Sequence, residues 1–127
     1  LDYLQLVGRD TGARFGNRTE EVGAVAHALQ ASAKGSGVAI LAAAQVNRGV
    51  QTRKDKRPVL SDLRESGDIE AVADVVLMPW RADYEGEGCE GQAEILVRKS
   101  RHGETGDVVA AWEGRYQEMV EVECTHP

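Results

Sequence analysis

The sequence has few aromatic residues. They make up 5% of 127 positions, so Val, Ala, Ile and Leu must fill most of any core. Cysteine is scarce too. Cys89 and Cys124 are far apart and lack CxxC spacing. That argues against a zinc ribbon or a disulfide framework and implies a reducing, cytoplasmic setting. No run of about 18 apolar residues occurs, so no membrane span is expected. No signal peptide is visible. Positive charge is also short, with a net charge of −6. Proteins that hold nucleic acid by bulk electrostatics are usually basic, so any such role must come from local clusters. The chain opens Leu1-Asp2 inside an apolar pattern, which reads as a cut within a strand.

What is present, 42% hydrophobic residues, suffices for one core. Leu1–Val7 reads as the end of a buried strand, and Gly8–Asn17 as a loop. Asn17 or Thr19 can cap a helix whose first turn holds Glu20 and Glu21. Val22, Val25, Ala26, Leu29 and Ala33 recur at helical spacing, and Gly35 and Gly37 end the run. Val38–Ala44 is short and continuously apolar, the pattern of a parallel strand covered on both faces. Ser61-Asp62 signals a helix start. Asp68–Ala73 reads as a short helix and Val75–Trp80 as a buried strand. Asp83–Gly91 reads as a surface excursion. In Gln92–Lys99, residues Ala93, Ile95 and Val97 share one face. Asp107–Glu113 and Tyr116–Glu123 read as antiparallel strands. The expected fold is α/β over residues 1–127: parallel strands with helices, then an antiparallel β-hairpin meander.

Ligands in such sheets collect at the carboxyl ends of strands. Asp2, in a buried strand, reads as an ordinary strand-end aspartate or as a cation ligand. Gln45 ends the apolar strand and can donate to a phosphate or bond its own loop. The following segment, residues 48–57, holds Arg48, Arg53, Lys54, Lys56 and Arg57 against one acid, Asp55. Arg64-Glu65-Ser66-Gly67 is a charged turn, solvated or tracking a phosphate backbone. Lys99-Ser100-Arg101 is a basic hairpin turn or a phosphate clamp. His27 and His102 show no metal spacing and read as surface residues.

DYLQL at Asp2, QVNR at Gln45, SDLRES at Ser61 and KSRHG at Lys99 occur in one order along the chain. Together they resemble the ATPase domain of DnaB-type replicative helicases, which is RecA-like, a P-loop NTPase fold. The resemblance implies an ATP- and Mg²⁺-dependent hexameric ring of identical subunits moving 5′ to 3′ on single-stranded DNA. Helicase loader and primase are implied as partners. It further implies that Asp2 holds Mg²⁺ through water and that Gln45 senses the γ-phosphate. Asn47, Arg48, Arg64, Glu65 and Gly67 would face DNA. Lys99 and Arg101 would reach a neighbouring subunit's nucleotide. His102 departs from the family's usual Asn or Asp and carries no role. No GxxxxGK followed by Ser or Thr occurs in these residues, so the chain alone is not expected to hydrolyse ATP. Two other readings stay open: a RecA-like phage, plasmid or recombination ATPase, and a non-catalytic domain binding nucleic acid or a partner.

Overall fold

A computed structural model describes residues 1–7, 16–63, 67–83, 86 and 90–122, with the Arg48 side chain also outside the description. Helix α1 spans Arg18–Ser36 and α2 spans Gly67–Val72. Strands β1 (Val75–Arg81), β2 (Gln92–Ser100), β3 (Gly106–Glu113) and β4 (Glu118–Glu121) form a four-stranded sheet in sequence order. All its pairings are antiparallel.

Helix α1 begins where the sequence places it. The Asn17 side chain accepts the Glu20 N–H at 2.9 Å, satisfying one orphan donor of the first turn. It runs through Gly35, however, and stops one residue later than the first glycine signal. Gly37 is the stop, at φ 67°, a left-handed conformation that a Cβ would disfavour.

Val22 and Ala26 of α1, Ile69 of α2, Leu4 and Leu63 pack with Val76, Met78 and Leu96 of the sheet. Met78 and Leu96 are register partners, so β1 and β2 present a shared apolar face to both helices. Leu96 is fully buried, whereas Ile95 and Val97, expected to define the core face, are only half-buried on the other side. Alternation in β2 is real, but Leu96 and Glu94 occupy the inner row. Strand β1 alternates likewise, with Val76 and Met78 buried and Val75 and Leu77 exposed, rather than being buried throughout.

Gly23 sets the distance between the helices. A Cβ there would lie 2.0 Å from Asp68 Oδ2, so a larger residue would push α2 from α1. His27, expected as a plain surface residue, sits 3.8 Å from Asp68 Oδ1 across the same contact.

The amino-terminal region differs most from expectation. Residues Leu4–Leu6 form a 3₁₀ turn instead of continuing a strand, and only Leu4 and Gln5 of the first seven residues are buried. Leu1 still makes the two bonds of a parallel pair: its amino group donates to Leu41 O, and Ala43 N–H donates to its carbonyl, both at 2.9 Å. Leu4 N–H then donates to Ala43 O at 2.7 Å. Among the described residues this is the parallel element of the fold. Residues 38–44 run beside it without forming a regular strand, and they are not covered on both faces. Leu41 is 85% exposed and Val38 56%. The apolar run is a sound strand signal, but nothing among the described residues packs over it.

Candidate nucleotide and DNA interface

The structure gathers the expected site residues into three groups. In the first, Gln5 joins the start of the chain to the end of the apolar run. Its Oε1 accepts the Gln45 N–H at 3.2 Å. Gln5 is 6% exposed, and its Nε2 has no partner among the described residues. Arg18 of α1 donates to the Gln5 carbonyl, tying this junction to the helix. Asp2 is exposed at this edge and Gln45 lies beside it, at the end of the run. Asp2 is therefore no buried carboxylate needing a cation to offset desolvation. It is open to solvent, which suits a carboxylate that reaches a metal through water. The sequence reading missed Gln5; its polar position inside DYLQL was the available signal.

The second group joins two motifs. Val46 and Leu63 form an antiparallel bridge, and Asn47 N–H donates to Asp62 O at 2.7 Å. QVNR and SDLRES are thereby tied at their roots. The Asn47 side chain accepts Gly49 N–H at 3.2 Å and caps the 3₁₀ turn Arg48–Thr52, a local structural use of a residue expected to face DNA. Asp62, read as a helix-start residue, is an anchor. It accepts Val59 N–H at 2.8 Å and forms an ion pair with Arg53 at 2.7 Å. Arg64 and Glu65 lie outside the described residues. Gly67 is exposed and opens α2.

The basic segment is less available than its composition suggests. Arg53 is held by Asp62. Arg57 makes a two-pronged pair with Glu94, through Nε at 3.0 Å and Nη2 at 2.6 Å. Its guanidinium also lies 4.5 Å from the Trp80 ring centroid. Glu94 is 5% exposed, so its charge depends on this partner. The hydrogen bond from Glu94 raises the Arg57 pKa above its ordinary value against the opposing effect of burial. A raised folded value means the arginine side of the pair stabilises at all pH below the ordinary pKa. That contribution is lost only as pH climbs through the raised one, far above neutrality. Arg98 donates to Pro58 O at 3.0 Å, fastening the same segment to β2. Lys54 is exposed.

The third group surrounds the end of α2. Lys99 donates to Glu70 O and, at 3.4 Å, to Ala71 O. Arg101 Nη2 donates to Ala71 O at 3.1 Å, and its Nε lies 2.9 Å from Asp74 Oδ1. Gln30 of α1 donates to Val72 O at 2.8 Å. The last carbonyls of α2, left without helical partners, are thus collected by side chains from β2, α1 and the hairpin. Lys99 and Arg101 are together, as expected, but fold back on their own subunit instead of projecting clear of it.

This ordered set, a carboxylate and a glutamine at one edge, two joined loops, and two cations beyond a short helix, agrees with the comparisons with known proteins. The DnaB-like helicase C terminal domain family matches residues 1–121. The chain belongs to this family. Replicative DNA helicase DnaC of Bacillus subtilis is 39% identical over 125 residues, covering 97% of this chain and 27% of the relative. Replicative DNA helicase DnaB of Pasteurella multocida is 42% identical over 118 residues, covering 91% and 25%. The chain thus spans about a quarter of such relatives. Among solved structures, a DnaB-like replicative helicase, described together with its interactions with primase, superposes with a TM-score of 0.86 at 35% identity, covering 96% of this chain and 29% of that one. A second solved structure, of an ATPase domain alone, gives the same TM-score at 34% identity, covering 96% and 43%. The fold is therefore that of a RecA-like helicase ATPase domain, of which these residues form a part.

Proposed function

We propose that these residues are the DNA-facing and neighbour-facing part of an ATP-dependent replicative DNA helicase. The observation that carries this reading is the joining of QVNR to SDLRES through the Val46–Leu63 bridge and the Asn47–Asp62 hydrogen bond. Loss of a phosphate contact at Gln45 would be felt at both loop roots, because they share backbone bonds.

ATP and Mg²⁺ fit the residues present. Among the described residues no cluster of three or more metal-ligating side chains exists, so a fully protein-built metal cage is not offered. One exposed carboxylate, Asp2, suits Mg²⁺, which keeps several waters and relies on substrate phosphates for other ligands. Gln45 would donate to the γ-phosphate. Magnesium, when bound, would neutralise charge on the phosphates. Lys99 and Arg101 would add positive charge from the adjoining subunit of a hexameric ring. Arg48, Arg64 and the backbone near Gly67 would follow the phosphates of single-stranded DNA. Helicase loader and primase are the expected protein partners, and the cytoplasm the setting.

The loop claim is tested by Arg64→Ala in the intact helicase. Single-strand affinity should fall, and the salt slope should shrink by about one. Unchanged affinity at low salt would remove Arg64 from the interface. The 127 residues alone should show no Mg²⁺-dependent ATP turnover, because they contain no phosphate-cradling loop. Turnover above a heat-denatured control would contradict that.

A further inference from the structure

Arg101 has five N–H groups, and only one edge of its guanidinium is engaged. Nε faces the Asp74 carboxylate at 2.9 Å, and one Nη2 N–H is given to Ala71 O at 3.1 Å. The Nη1 N–H groups and the second Nη2 N–H have no partner among the described residues. Asp74 is fixed in turn. Its own carbonyl accepts the Arg101 N–H at 2.8 Å, so backbone and side chain of the two residues are tied together. The side chains of Asp74 and Arg101 are 64% and 40% exposed. A pair this open to water contributes little to stability, so stability alone does not account for the arrangement.

We propose that Asp74 is a positioning residue for Arg101. It clamps the inner edge of the guanidinium against the end of α2, and so aims the outer N–H groups across the subunit boundary. Ala71 O supplies the second fixed point, and two points fix a planar fork where one would let it swing. Lys99, anchored on Glu70 O and Ala71 O, is held beside it. The proposal rests on the reading of Arg101 as a group that acts on a neighbour's phosphates. It adds that the arginine is pre-aimed within its own subunit before any nucleotide arrives. Pre-aiming matters because a misplacement of about 1 Å at a reacting centre can cost about a hundredfold in rate.

The test uses the intact helicase, with Asp74→Ala, Asp74→Asn, Arg101→Ala and the double variant. Asp74→Ala should lower kcat about tenfold or more while leaving the KM for ATP, ring assembly and melting temperature near wild type. Asp74→Asn, which retains an oxygen acceptor for Nε, should recover part of the loss. Asp74→Ala added to Arg101→Ala should cost nothing further, since the group it positions is gone. Wild-type kcat in Asp74→Ala, beside an inactive Arg101→Ala, would overturn the positioning role alone. So would a kcat loss that tracks a fall in melting temperature or ring assembly. Substantial turnover in Arg101→Ala itself would instead overturn the reading beneath it.

Discussion

Arg101→Ala in the intact helicase abolishes ATP turnover while ATP binding stays close to wild type. Arginines that stabilise phosphoryl-transfer charge from outside the nucleotide site are worth about 10³ to 10⁵ in rate in related nucleotide hydrolases. The residue stands apart from the edge where Asp2 and Gln45 emerge. It meets Asp74 and Ala71 instead, at the far end of α2. Losing it removes little that holds the fold, because the Asp74 pair is exposed and Lys99 and Gln30 still serve the α2 carbonyls. Single-turnover and nucleotide-binding measurements on the same preparation separate the two effects. A proportionate loss of ATP affinity would assign Arg101 to ground-state binding instead.

The second large effect concerns stability. Arg57→Ala should destabilise the β1–β2 face by about 2 kcal/mol, because it strands the Glu94 carboxylate where water hardly reaches. The estimate sits below that for a fully buried pair since the Arg57 side chain is itself 41% exposed. Arg57→Lys should recover only part of this, as an ammonium cannot make the two-pronged contact or stack as well on Trp80. Hydrogen exchange of β2 amides in the intact protein reads the loss directly. Lys54→Ala should leave that protection unchanged, its effect appearing only in single-strand affinity. Equal protection in Arg57→Ala and wild type would mean that Glu94 finds another partner.

These two cases show where sequence reading succeeds. Asn17 at the start of α1, Gly37 at its end and the hairpin between β2 and β3 were legible because caps and turns are local chemistry. The motif order was legible too, since it needs only spacing. The fate of the charges was not. Arg53 and Arg57 look like their neighbours Lys54 and Lys56 in composition, yet Asp62 and Glu94 claim them. Glu94 lies 37 residues from Arg57, and no periodicity reports such a meeting. Burial failed for a related reason. Asp2 and residues 38–44 have the apolar surroundings of a covered strand, but cover is a property of neighbouring elements, not of the run itself. Leu96 was hidden between two apolar residues that seemed to mark the inner face of β2.

The central claim is that this part of the protein completes a neighbour's nucleotide site. Mixed rings test it most directly. Subunits carrying Arg101→Ala are combined, over a range of ratios, with subunits lacking only the P-loop lysine, and DNA-stimulated ATP hydrolysis is measured. Each parent ring should be inactive. At intermediate ratios activity should return, because a mixed interface can pair an intact phosphate loop with an intact Arg101. If mixed rings form and bind DNA yet no ratio restores hydrolysis, Arg101 does not act across the boundary, and its contacts with Asp74 and Ala71 are its whole role.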